Sequence, residues 1–167
     1  GRVLSRRPFP WPVFQNANPL ARQGYFVAPR KDTTWAFALA FGDAFFVFDG
    51  LKVRQFVGRM AEAIPLPDVI VSSQGFNSAE KLGRVTAAAR SIAIDDRYLS
   101  ILFSGSDTSV SSRVIDRFAL KTGAYVDSYL LPAKARYVAQ VGPQLLVLTS
   151  GAILSVKSRN TTRSGNY

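Results

Sequence analysis

A chain of 167 residues, 47% hydrophobic and 19% charged, is long enough for one domain with a proper core and reads as folded. It holds neither Cys nor His, which excludes a disulfide framework, a thiolate nucleophile, a histidine general base and a Cys/His metal centre. The net charge of +10 sits at the two ends: residues 1–31 carry six basic groups and residues 128–167 five, with no acid in either stretch, around a body near neutrality.

Residues 1–24 read as an extended arm. Pro8, Pro10 and Pro12 alternate with other residues, which forbids a helix and favours a polyproline-like path. Phe9, Trp11 and Phe14 give the arm apolar anchors that either pack across their own domain or dock on a partner. Arg2, Arg6 and Arg7 beside them, with Arg159 and Arg163 at the other end, supply the electrostatic part of a partner-binding set.

From residue 25 to 157 the pattern is β. Short runs of Val, Ile, Phe and Leu alternate with turn punctuation such as Gly42-Asp43, Asp49-Gly50, Thr122-Gly123 and Gly142-Pro143. Strands are predicted near 25–29, 34–41, 44–49, 52–57, 68–72, 88–94, 97–103, 111–119, 124–130, 135–141, 144–149 and 152–157. The alanine-rich stretch 78–90 admits a short helical turn, and Ser73–Gly83 is the longest predicted loop. The run Trp35–Phe41 is the longest nearly apolar one, far short of the roughly twenty residues that span a bilayer. Residues 158–167 read as a flexible basic tail; Asn160-Thr161-Thr162 in it matches a short glycosylation pattern of low specificity.

A repeat organises these strands. The strand–turn–strand pattern of 36–48 returns at 136–148 and, about halfway, at 91–103. Three units about fifty residues apart are what repeated antiparallel blades of four strands leave in a sequence. The fold class expected is therefore all-β, an incomplete or open β-propeller of four-stranded blades, with a β-sandwich as the alternative.

Within the middle unit, Arg113 to Pro132 resembles a blade of bacterial six-bladed β-propellers, the TolB-like and NHL-like repeat proteins. Leu120-Lys121-Thr122-Gly123 stands where those proteins turn after the third strand, and Leu131-Pro132 where the fourth strand leaves for the next blade. Gly142–Leu148 resembles the second-strand hairpin of that next blade, so the likeness extends over about 34–157. It implies a binding scaffold and carries no catalytic residues with it. About three blades are counted where closed propellers have four to eight, which leaves end blades to be covered.

Chemistry is sparse. There is no Gly-x-Ser-x-Gly elbow, no phosphate-cradling glycine loop and no calcium-loop spacing. Asp95-Asp96, the one adjacent carboxylate pair, is expected to bend the chain and bond local amides, and Asp107 belongs to a polar connection. No catalytic, metal or cofactor residue is assigned, and no enzyme activity is expected.

The function expected is a non-catalytic accessory or scaffold subunit. It would dock on a larger, membrane-associated or soluble, protein assembly through its arm, sheet surfaces and basic ends. One alternative is a polyanion- or nucleic-acid-binding module, the weaker since the folded middle lacks interleaved basic and aromatic residues. The other is a small-ligand or carbohydrate-binding propeller with Trp11 or Trp35 in a pocket. Protein partners come first, then an anionic membrane surface. The propeller resemblance and a start at Gly1 lead to the expectation of a longer chain or a removed leader. They also suggest a bacterial periplasmic or extracytoplasmic, peripheral location.

Overall fold

The computed structural model describes residues 19–29, 33–50, 52–58, 70–71, 77–78, 87–104 and 110–157. A single 3-10 turn, Pro19–Arg22, leads into strands β1 (Gly24–Val27), β2 (Thr34–Leu39), β3 (Ala44–Asp49) and β4 (Lys52–Val57). These four form one antiparallel meander in chain order. A two-stranded pairing of β5 (Ile70–Val71) and β6 (Asn77–Ser78) follows. The second meander joins β7 (Ala89–Ile94), β8 (Tyr98–Phe103), β9 (Val114–Ala119) and β10 (Tyr125–Leu130). A third joins β11 (Ala135–Val141), β12 (Gln144–Thr149) and β13 (Ile153–Lys157).

The molecule is all-β, and its meanders are propeller-type blades: successive sheets stacked face to face with their first strands side by side, β7 between β1 and β11. A sandwich would have put the strands into two facing sheets. Among the described residues the first and third sheets share no strand pairing and no hydrophobic cluster; each packs on the second.

Period-two alternation explains the stacking. On the first sheet, Ala36, Ala38, Phe45 and Val47 point to one side and meet Ile92, Ile94, Leu99 and Phe118 of the second. Small Ala on β2 against large Phe on β8's neighbour β9 lets the two sheets approach closely. The second sheet's other side, with Leu102 and Ile115, meets Val138, Leu145 and Val147 of the third. Residues of the middle sheet are thus buried on both faces, which is why β7 and β8 read as nearly continuous apolar runs.

Backbone and side-chain bonds pin neighbouring sheets. The amide of Ala88 donates to the carbonyl of Ala40 at 2.7 Å, and that of Ala135 to the carbonyl of Ser112 at 2.7 Å. Ser91 on β7 accepts from the Val138 amide of β11 at 3.1 Å, bridging two inner strands that share no ladder.

Strand positions follow the sequence reading closely, with three informative differences. The strand predicted at 111–119 begins only at Val114, because Val110–Arg113 turn and Ser112 takes a left-handed φ of 61°. Asn77–Ser78, inside the predicted loop, pairs as a strand. The helical turn predicted in 78–90 does not extend to Ala89, which opens β7; residues 79–86 lie outside the described ones.

The repeat also needs a change of phase. Hairpins β7–β8 and β11–β12 are first and second strands of their sheets, whereas β2–β3 are second and third of theirs. The strand in the equivalent position of the first sheet is β1, whose four residues Gly24–Val27 are too few to show a pattern.

Candidate functional site

The residues singled out from sequence as partner-binding, Phe9, Trp11, Phe14, Arg2, Arg6, Arg7, Arg159 and Arg163, all lie outside the described residues. So do Asp107 and Asn160. Of the arm, the described part is Pro19 onward, where Ala21 is buried and the carbonyl of Gln23 accepts from the Ala40 amide at 2.8 Å. Asp95 does what its turn position asks: Oδ1 accepts from the amides of Arg97 and Tyr98, each at 2.7 Å.

Three places carry unspent surface or chemistry. The first is the outer face of the last sheet. Tyr137 pairs directly with Leu148, and Leu148 with Ile153, so their side chains form one row across β11, β12 and β13. Tyr137 is 59% exposed and Ile153 69%, with Val141 exposed farther along the same side of β11. The outer face of the first sheet is covered at its centre, where Phe46 is 0% exposed, Phe48 is buried and Trp35 stacks on Phe48 with ring centroids 3.4 Å apart, but on the same side its edge strands expose Phe26 and Val57. Both end sheets thus show apolar side chains, and the last one shows them as a row across all three of its strands.

Second is a cavity of about 400 Å³ between the first and second sheets, beside the β2–β3 turn. It exists because its near wall is made of small residues, among them Ala38, Gly42, Ala44, Ala88 and Ala89. Its far wall is large and apolar, with Ile101, Phe103, Val114 and Phe118. Polar groups enter from two sides: Asp43 from the turn, and Asp116 with Ser128 from β9 and β10. The Ser128 hydroxyl donates to Asp116 Oδ1 and lies 2.8 Å from the Tyr125 hydroxyl. Gly58 lets Asp43 lie against it, since a Cβ there would overlap the carboxylate. Trp35, which the small-ligand alternative names with Trp11 as a pocket tryptophan, is not in this wall; it belongs to the opposite face of the sheet, where it stacks on Phe48.

The third is Arg117, buried between the second and third sheets and bonded to Asp127. Its pKa is raised, first by the hydrogen bond to Asp127, against the opposing effect of burial, with smaller support from the fields of Tyr129, Asp127 and Tyr98. A guanidinium so engaged is structural. Among the described residues no cluster of His, Cys, Asp and Glu has the makings of a metal site.

No protein-family model matches the chain, and no curated protein sequence does. Among solved structures it is similar to the WD40 domain of Neurospora crassa Pan2, with 8% identity and a TM-score of 0.37 over 86% of this chain and 48% of that one. It is similar to the computationally designed Ika4 protein, with 12% identity and a TM-score of 0.35 over 80% of this chain and 89% of that one. A further likeness is to virginiamycin B lyase from Staphylococcus aureus, with 11% identity and a TM-score of 0.31 over 75% of this chain and 52% of that one. The chain spans about half the length of the Pan2 domain and of the lyase. No described helix is long and apolar enough to cross a membrane.

Proposed function

We propose that this chain is a non-catalytic binding module that docks, by the outer face of its last sheet, on a protein partner with an apolar surface rimmed by acidic groups. The observation that carries the reading is the exposed row Tyr137–Leu148–Ile153, continuous across all three strands of the last sheet, whereas the outer face of the first sheet is buried at its centre and exposes Phe26 and Val57 at its edges. Aromatic and aliphatic side chains placed contiguously on a sheet face are what a second sheet packs against at about 10 Å. The surroundings of that face are basic: residues 128–157 include Lys134, Arg136 and Lys157 and no acid. Two copies carrying +10 each repel, which favours an acidic partner over self-association.

The basic ends extend this reading to an accessory subunit whose Arg2, Arg6, Arg7, Arg159 and Arg163 add attraction to an acidic assembly or an anionic membrane surface. The bacterial, extracytoplasmic setting implied by the likeness to six-bladed propellers belongs to the same proposal.

The test is the mass of the native particle, gently extracted from its source and measured by light scattering after size exclusion. A complex well above 18.3 kDa that Leu148→Asp and Ile153→Asp reduce to the single chain is the expected result. A wild-type particle of 18.3 kDa, or a homo-oligomer, overturns the reading.

A further inference from the structure

We infer that the outer edge of β13 takes an added antiparallel strand from the partner, an extended segment of alternating apolar residues that carries an acid. The inference rests on the docking proposal and names how the partner's chain runs beside that face.

The third sheet is one strand short of the other two. The first and second sheets each hold four strands, ending in β4 and β10, whereas among the described residues the third ends at β13. Those fourth strands carry contacts between sheets. Arg54 of β4 donates to the Lys121 carbonyl of the second sheet, and Tyr129 of β10 packs on the cluster shared with the third. Burial of the third strands records the difference. Phe118, facing the preceding sheet from β9, is 3% exposed, while Leu154 and Val156, facing the preceding sheet from β13, are only half-buried.

Register shows what the edge offers. β12 and β13 are joined by a tight turn in which the Thr149 amide donates to the Ala152 carbonyl at 2.9 Å. Backbone groups of an antiparallel strand point alternately to its two sides. Leu154 and Val156 therefore bond to β12, and Ile153, Ser155 and Lys157 turn their N–H and C=O outward. Such a row is a template for another strand. Its side-chain requirements follow from the neighbours. An apolar residue beside Ile153 extends the exposed row by one strand, and apolar residues beside Leu154 and Val156 complete the inner face near Tyr129. Charge decides the remaining position: β13 ends in Lys157 and the chain has no acid after Asp127, so an acid belongs opposite 157. A second copy, with the same +10, is repelled from this edge.

The probe is the peptide acetyl-Ser-Glu-Val-Thr-Val-Ile-Ser-amide, whose Glu, Thr and Ile stand opposite Lys157, Ser155 and Ile153 in an antiparallel ladder. It is titrated into the isotope-labelled full chain, and amide hydrogen exchange is followed by NMR. Saturable binding that slows exchange at Ile153 and Ser155 at least about fivefold is expected, with Leu154 and Val156, already bonded to β12, little changed. N-methylation of the peptide's Thr, whose N–H faces β13, should weaken binding at least about tenfold. N-methylation of the Val after it, whose N–H faces away, should leave affinity within about twofold. Ser155→Pro removes an outward N–H without touching the β12 ladder, and should abolish binding. The two methylated peptides are read on the unaltered chain, so they decide the matter even where Ser155→Pro perturbs the fold. No saturable binding, equal binding by the two methylated peptides, or binding that survives Ser155→Pro overturns the inference. Slow exchange at Ser155 in the chain alone also overturns it, by showing the edge already held. In each of those cases the docking face still stands or falls by the particle mass of Leu148→Asp, which acts whether or not β13 takes a strand.

Discussion

Arg117 on β9 and Asp127 on β10 meet fork to fork: Nε donates to Oδ1 at 2.6 Å and Nη2 donates to Oδ2. The guanidinium carbon also lies 4.7 Å from the Tyr98 ring centre and 4.9 Å from that of Tyr129. A charge is thereby carried into the interface of the second and third sheets with its donors satisfied and its flat faces covered by aromatic rings. The two partners are unequally placed, since the arginine side chain is 8% exposed and the aspartate 45%.

That inequality makes a prediction about which partner matters more. Removing Asp127 leaves a buried cation without its acceptor, whereas removing Arg117 leaves a carboxylate that water can reach. Asp127→Ala is expected to lower stability by about 3 kcal/mol and Arg117→Met, which keeps the stem packed, by about 1 kcal/mol. Urea midpoints of the two variants check the order, and a larger loss for Arg117→Met would show that stacking outweighs the pair.

The pH dependence follows from the direction of the arginine's shift. A base whose folded pKa is raised contributes stability that is whole below its unfolded pKa and is lost only as pH rises through the folded one, here in strong alkali. Deleting the pair should therefore cost the same at every pH from about 6 to 9. Urea melts of wild type and Asp127→Ala at several pH values in that range should run parallel; curves that converge toward the alkaline side would refute the assignment.

Two glycines with the same backbone sign offer a cleaner comparison. Gly123 (φ 69°) and Gly142 (φ 56°) both sit in turns that disfavour a side chain, but a Cβ on Gly142 meets nothing within 4 Å. A Cβ on Gly123 would overlap the Phe56 ring of β4, because this turn of the second sheet packs on the last strand of the first. Beside it Arg54 donates to the Lys121 carbonyl, fixing the same approach. Gly142→Ala should cost about 1 kcal/mol, the left-handed penalty alone. Gly123→Ala should cost clearly more, about 2–3 kcal/mol, as the ring or the turn gives way. Equal losses at the two positions would mean that the turn and Phe56 are not in contact.

This contact also marks where the sequence stops being informative. Thr122-Gly123 as a turn, and β9 and β10 on either side of it, were legible from apolar alternation and punctuation, because those are local properties. Phe56 as its neighbour was not, since the pairing joins residues far apart in the chain. The blade phase was misread for a related reason. The β2–β3 hairpin, with Phe45, Phe46, Val47 and Phe48, is apolar on both sides and resembles a first hairpin, while β1 contributes only Gly24-Tyr25-Phe26-Val27. Of the cavity, the small residues that open it are ordinary in a sequence. Asp43 and Asp116 are 73 positions apart, and only the stacking of two sheets brings them to one space. The anchors and arginines chosen from sequence belong to the ends, whereas the docking face proposed from exposure was hidden in strands that read as core.

The bond between Ser91 and Val138 tests whether successive blades are locked or merely stacked. Ser91 is buried, its Oγ accepts from the Val138 amide at 3.1 Å, and that amide lies on the edge of β11 away from β12's ladder. Without the hydroxyl the amide would be left buried with no acceptor, a loss of about 1–2 kcal/mol in Ser91→Ala. Apolar contacts between Ala93, Leu102 and Val138 would persist, so the third sheet should stay folded and the effect should be local. Amide hydrogen exchange distinguishes the cases. Faster exchange confined to Val138 and its β11 neighbours is the expected outcome. Faster exchange throughout β12 and β13 would instead make this single hydroxyl the lock that holds the last blade to the array, and an unchanged Val138 amide would show that the bond does not form in solution.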